Sequence, residues 1–334
     1  MTAEPVPVLA TAPAPVPAAG AHGGDGVLLA AALGVDRSEV LDLSASLNPV
    51  APKLDALLGS HLDAVGRYPN PAAATEALAA CLEVDPDLVV LTNGGAEAIA
   101  LVAAEKPLGW VDEPDFSLYR RHLGDLTPGG LRWRSNPHNP SGLLADDHEQ
   151  AGVWDEAFWA LATGTWTRGD TKRGAVVVGS LTKVFACPGL RVGYVICPDH
   201  DLAKRIRGRQ PAWSVNGLAA DALPEILAGA RLAEWSEQVA RLRDRLATIL
   251  REAGFEPEPS NANWLVVHAP GLRSQLARFA ISVRDCASFA MPGYVRIAVP
   301  DTAGLERLRL ALEALGGDAA LNGDAARDEA GTRW

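Results

Sequence analysis

Residues that attract anions or attack carbonyl carbons crowd into one short stretch of this chain. GSLTK (179–183) is followed at once by GLRVGY (189–194), so Ser180, Thr182, Lys183 and Arg191 share a strand-loop-strand connection. Two hydroxyls, an ammonium and a guanidinium side by side suit a dianionic phosphate. A lysine so placed is repelled by the arginine and loses solvation, which lowers its pKa and readies the amine as a nucleophile or imine former near neutrality. A Ser/Thr-Lys pair is more often a solvated loop. Here the other four lysines, Lys53, Lys106, Lys172 and Lys204, lie after a proline, at a helix end, in a polar turn and in the basic run KRIRGR. Lys183 is the one with company.

Three further pieces could serve the same chemistry. NGGAEA (93–98) puts glycines at the start of a helix after a strand, where free N–H groups and the helix macrodipole can cradle a phosphate. No GxGxxG accompanies it, so a dinucleotide-binding reading loses support. SNPHNPSG (135–142) holds two Asn-Pro steps, which either aim an asparagine at a ligand or form a surface loop. In VWDEAFW (153–159), Asp155 follows a short apolar run, where its carboxylate either pairs with a ring nitrogen or caps a helix.

The elements that must position these residues read as strand, glycine turn and helix. LVVLT (88–92) leads into NGGAEA, and AVVVGS (175–180) and VGYVIC (192–197) are β-branched runs of the kind buried on both faces of a mostly parallel sheet. Helices are predicted at 27–35, 53–65 and 75–84, with a strand-like LDLSASLNP between the first two. Leu232, Trp235, Val239, Leu242, Leu246, Ile249 and Leu250 step along one face of a long helix, after which NWLVVHAP, ISVRDC, YVRIAV and a helix at 305–315 change the grammar to α+β.

Composition excludes much else. At 334 residues the chain exceeds one compact core, and its net charge of −11 repels phosphate backbones and anionic membranes, so neither nucleic acid nor membrane is an expected partner. No apolar run approaches the roughly 20 residues of a membrane span. Four dispersed cysteines and seven histidines without HExxH argue against zinc and against a disulfide framework. The proline-punctuated start carries no basic n-region and reads as an arm rather than a signal peptide, which places the protein in the cytoplasm. An anionic substrate must then be met by specific arginines.

In chain order, NGGAEA, EPDFSLY, NPHNPSG, DEAF, SLTK and GLRVGY resemble the fold type I pyridoxal-phosphate enzymes of the aminotransferase class I/II superfamily, over about residues 40 to 300. The resemblance is nearest to cobalamin-pathway threonine-phosphate decarboxylases and histidinol-phosphate aminotransferases. It implies an α/β fold, a mostly parallel sheet flanked by helices with a smaller α+β domain, and pyridoxal 5'-phosphate as cofactor. Lys183 would bind the cofactor aldehyde covalently and Asp155 would keep the ring nitrogen protonated. Asn139 would bond the ring hydroxyl and Phe116 stack on the ring, while Gly95, Ala96, Ser180, Thr182 and Arg191 hold the phosphate. Tyr68 would reach a partner's cofactor across a homodimer with shared sites, and Arg296 would clamp the substrate carboxylate, a bidentate task that lysine does poorly. The implied organisation is a disordered Pro/Ala arm (1–25), an N-terminal segment of the small domain (26–70), a large cofactor-binding domain (71–217), a linking helix with the small α+β domain (218–315), and a flexible tail (316–334).

The chain departs from that pattern at Phe158, where many relatives carry a tyrosine. Only residues 143–154 separate NPSG from Asp155, which predicts a missing crossover helix and a thinned sheet. Leu47 and the AWSVNGLA stretch (212–219) lean toward the decarboxylases, so decarboxylation of L-threonine O-3-phosphate to aminopropanol phosphate is favoured. A histidinol-phosphate-type aminotransferase is the alternative, and a non-catalytic ligand-binding protein the distant one. Asn48 and Arg209 are candidate substrate contacts, with Arg120 or Arg121 as further candidates for a substrate phosphate.

Overall fold

A computed structural model describes residues 16–18 and 23–322, excluding the side chains of 317–322. Most of the expected arm, and the tail beyond 322, lie outside these residues. Residues 23–25, expected to belong to the arm, are instead tied down, because the N–H groups of Gly24 and Asp25 both donate to Ser44 Oγ.

The strands are β1 (Leu41–Leu43), β2 (Val89–Thr92), β3 (Leu108–Val111), β4 (Asp125–Leu126), β5 (Leu131–Ser135), β6 (Val153–Asp155), β7 (Val176–Ser180), β8 (Gly193–Ile196), β9 (Trp264–His268), β10 (Ile281–Asp285) and β11 (Tyr294–Ala298). Seven form one sheet in the order β2-β8-β7-β6-β5-β3-β4. It is parallel except at β8, which runs antiparallel to both β2 and β7.

Its central strands are apolar throughout because helices cover both faces. Val89, Leu91, Val177, Tyr194 and Ile196 pack with helices Ala72–Leu82 and Gly217–Ala228 on one side. Val90, Val176, Val178 and Val195 point the other way, onto helices Gly94–Glu105 and His200–Arg209. The period-2 alternation of side chains divides one continuous run between two cores. The predicted missing helix is indeed absent between β5 and β6. The predicted thinning is confined to the edge, where β4 has two residues but all seven strands remain.

The second sheet has the order β1-β10-β11-β9. Leu43, Ile281, Val283, Val295 and Ile297 face helices Leu232–Glu252, Leu272–Ala277 and the closing helix Thr302–Asn322, which continues past its expected end at 315. The opposite face carries Arg284 and Arg296 beside Trp264. A one-residue slip would drive both arginines into the apolar core, so register here is strongly specified.

The expected boundary at 218 falls at the head of helix Gly217–Ala228, which packs with the large sheet. The chain changes partners inside the next helix. Leu232 and Trp235 join the large-sheet core, whereas Leu242, Leu246 and Leu250 join the small one. Each of those buried leucines contributes about 2 kcal/mol of apolar burial, so the helix couples the two sheets firmly. LDLSASLNP is strand only over Leu41–Leu43, and the helix expected at 53–65 splits into Asp55–Ser60 and a 3-10 turn at Leu62–Gly66. Among the described residues no helix is long and apolar enough to cross a membrane.

Candidate active site

The ends of β5, β6 and β7 meet the arginine face of the small sheet around a cavity of about 240 Å³. A crevice outside the carboxyl ends of parallel strands is where α/β sheets characteristically bind ligands. Lys183 lies in the single helical turn Leu181–Val184 that follows β7, and its side chain opens into the cavity. Burial, and then the charges of Arg296, Arg191 and Arg284, bring its amine down to about 8, with Asp155 opposing. Near neutrality a useful fraction of the amine is therefore free to react with a carbonyl.

Asp155 ends β6 and is buried at the cavity wall. Burial raises its carboxyl to about 6, against two hydrogen bonds that favour the ionised form, from Ala157 N–H at 2.9 Å and from Tyr119 Oη at 2.8 Å. It stays a carboxylate at pH 7 and can pair with a protonated ring nitrogen. Its position at the end of β6 answers the alternative of a helix cap.

Opposite it, the backbone leaves room for a phosphate. Gly94 has φ +78°, and a Cβ there would meet Arg191 Nη2 at 2.3 Å, so the guanidinium lies directly against the glycine. A Cβ on Gly193 would strike the Gly94 backbone at 2.4 Å. The twelve-residue helix Gly94–Glu105 begins at this point, with Gly95, Ala96, Ser180, Thr182 and Arg191 around it on the cavity wall. A helix N-terminus, hydroxyls and an arginine converging on one end of the cavity fit the phosphate of the implied cofactor. Lys183 and Asp155 fit its aldehyde and its ring nitrogen.

Phe116, Asn139 and Phe158 also line the cavity, and the Lys183 ammonium stands 5.8 Å from the Phe158 ring centre. Arg296 donates to Asn139 Oδ1 at 2.6 Å, and burial brings its pKa down to about 9. Arg284, likewise lowered by burial, sits directly opposite Arg296 across the β10–β11 pair.

Five sequence candidates lie elsewhere. Arg209, at the end of helix His200–Arg209, is paired with Glu105, Arg120 is paired with Glu113, and Arg121 is exposed; none lines the cavity. A helical position at 3.6-residue spacing turned these side chains to solvent. Asn48 is buried but its side chain is spent on backbone, with Nδ2 donating to Val184 O at 2.8 Å and Oδ1 accepting from Val50 N–H. Its own N–H donates to Lys183 O at 3.0 Å, so Asn48 fixes the lysine turn rather than a substrate. Tyr68 is exposed, with its ring 4.6 Å from that of Trp213, and lies outside the cavity. Sequence reasoning missed Tyr119 and Arg284. The first had a signal in its spacing from Phe116, whereas the second could be found only through the strand register.

A model of the family described as aminotransferase class I and II matches residues 133–312. The threonine-phosphate decarboxylase of Salmonella typhimurium is 30% identical over 87% of this chain and 95% of its own length. Histidinol-phosphate aminotransferase 2 of Thiobacillus denitrificans is 27% identical over 83% of this chain and 92% of its own. The histidinol-phosphate aminotransferase of Sinorhizobium meliloti, solved in complex with pyridoxal-5'-phosphate, superposes on 87% of this chain and 95% of its own with a TM-score of 0.74 at 16% identity, a likeness of fold alone. Since the family match spans more than half of the sequence and is joined by a near full-length relative, this chain belongs to the aminotransferase class I and II family.

Proposed function

We propose that the protein is a pyridoxal 5'-phosphate-dependent enzyme that decarboxylates L-threonine O-3-phosphate to aminopropanol phosphate, working as a cytoplasmic homodimer. The observation that carries the substrate class is the Arg284–Arg296 pair. Like charges directly opposite in a strand pair are destabilising, and both residues are buried. Both guanidinium groups line the cavity, so a substrate carrying a carboxylate and a phosphate would meet positive charge there for each.

In this reading Arg296, aimed by Asn139 and Trp264, holds the carboxylate, and Arg284 replaces Arg209 as the phosphate partner. Gly95, Ala96, Ser180, Thr182 and Arg191 hold the cofactor phosphate, Phe116 covers the ring, and Asp155 keeps the ring nitrogen protonated. When bound, the cofactor supplies an electron sink for charge at the substrate Cα. The protein's own part is orientation, which decides the bond that breaks, and proton transfer, for which Lys183 Nζ is the cavity's amine. Decarboxylation breaks the Cα–carboxylate bond, releases carbon dioxide and returns a proton to Cα. Tyr68 and Trp213, both exposed, are suited to a partner subunit.

The Salmonella relative supports decarboxylation by its identity and near-complete coverage. Incubating the reconstituted protein with carboxyl-labelled L-threonine O-3-phosphate should release labelled carbon dioxide only with cofactor present. A cofactor-loaded protein that releases none, yet transfers the amino group of histidinol phosphate to 2-oxoglutarate, would replace this reading with the aminotransferase one.

A further inference from the structure

Beside the cavity stands a buried carboxylate that the proposed reaction leaves unused. Asp115, 3% exposed, lies just after β3 and before helix Ser117–His122. Its Oδ1 accepts from Ser135 Oγ at 2.5 Å and from Phe116 N–H at 2.7 Å, and its Oδ2 accepts from Ser135 N–H at 3.1 Å. The Ser135 hydroxyl in turn accepts from Asn139 N–H at 2.8 Å. Thus a two-side-chain relay joins the backbone of Phe116 to the backbone of Asn139. His138 ties the same two loops a second time, with Nε2 2.7 Å from Pro114 O and Nδ1 2.8 Å from Ser141 Oγ.

We propose that Asp115, acting through Ser135, is a positioning residue that sets the separation of Phe116 and Asn139 and so shapes the slot for the cofactor ring. This rests on the cofactor reading above. The chemistry of the relay singles out aspartate. Three donors converge on it, two backbone N–H groups and one hydroxyl, and only an ionised carboxylate accepts from all three. Asparagine would turn its own N–H₂ toward at least one of them, and alanine would leave buried donors without partners. A hydroxyl is equally required at 135, because its oxygen must donate to Asp115 while accepting from Asn139. Burial lifts the Asp115 carboxyl to about 6, which still leaves it ionised at pH 7.

The test is a pyridoxal-phosphate titration of the full-length protein, of Asp115→Asn, of Ser135→Ala and of the double variant. Melting of each cofactor-free protein and a distant core control in the small-sheet core, Leu308→Ala, accompany it. Each single variant should weaken cofactor binding at least tenfold, and the double no more than threefold beyond the worse single, since the two side chains form one relay. The control should lower the melting temperature without moving cofactor affinity. Unchanged affinity in the folded single variants, or losses that multiply in the double, would overturn the proposal. If Asp115→Asn does not fold, Ser135→Ala, which removes only a hydroxyl, decides alone. A wild-type protein that binds no pyridoxal phosphate would instead overturn the cofactor reading, and this proposal with it.

Discussion

Replacing Lys183 by methionine should make the cofactor-free protein more stable. The amine is driven from 10.5 to about 8 by burial first and then by the three arginines, so the folded state is penalised for keeping it charged. Each tenfold loss of proton affinity corresponds to about 1.4 kcal/mol, and contact with cavity water trims the total to roughly 2–3 kcal/mol at pH 7. Below about pH 8 the lysine is protonated in folded and unfolded chains alike, and the penalty is full. Between about 8 and 10.5 the unfolded chain holds a proton that the folded one has released, so stability climbs with pH. Methionine keeps the aliphatic packing and carries no proton. Its advantage should therefore be largest at pH 7, roughly halved near pH 9 and gone near 10.5. Urea unfolding of both proteins without cofactor reads this directly, as a midpoint shift on the order of 1 M at pH 7 for a denaturant slope of about 3 kcal/mol/M. No gain at pH 7, or a gain of equal size at pH 7 and pH 10, would refute the argument that burial and like charge depress this amine. The same variant should lose turnover entirely, which separates stability from function at one residue.

Other perturbations probe the rest of the cavity. Tyr119→Phe removes a hydrogen bond that favours the Asp155 carboxylate, so its pKa, already raised to about 6, should rise further and the acid limb of the kcat/KM profile should move to higher pH. Gly94→Ala forces a left-handed backbone on alanine and displaces the Arg191 guanidinium. We expect about 1–3 kcal/mol of lost stability by thermal melting, together with weaker cofactor binding in a fluorescence titration. Phe158→Tyr restores a hydroxyl near Lys183, and the visible absorbance of the bound cofactor should then titrate at lower pH; an unmoved midpoint would show that the hydroxyl does not reach the ring.

The local grammar of the site was written in short segments. AVVVGSLTK and LVVLTNGGAEA announce a buried strand running into a turn and a helix, because a β-branched run followed by Gly, Ser and Thr offers few other local solutions. For that reason Ser180, Thr182, Lys183 and Arg191 were legible as a group before any fold was known, whereas Gly95 and Ala96 joined them only through the ordered series of motifs. Phe116, Asn139, Asp155 and Arg296 were legible only through the ordered series of motifs, since each alone reads equally well as a loop or edge residue.

What lay beyond the sequence depends on contacts between segments far apart in the chain. Arg209, Arg120 and Arg121 were plausible by type, yet helix phase turned them outward, where Arg209 pairs with Glu105 and Arg120 with Glu113. Asn48 was plausible by motif, but its amide is 2.8 Å from Val184 O, a residue 136 positions away. Arg284 carried no motif, and it became a site residue only because β10 pairs with β11 in the register that sets it opposite Arg296. Asp115 was one letter in EPDFSLY until β3 and β5 lay side by side and brought Ser135 to it. Local patterning was enough to mark the strands and helix starts that carry Ser180, Thr182 and Lys183 and to single out that lysine, because a buried run and its adjoining charges are read within one segment. The tertiary structure alone decided which arginines face that amine and which carboxylates hold the cavity in shape, because strand register and cross-strand pairing arise only when distant segments meet.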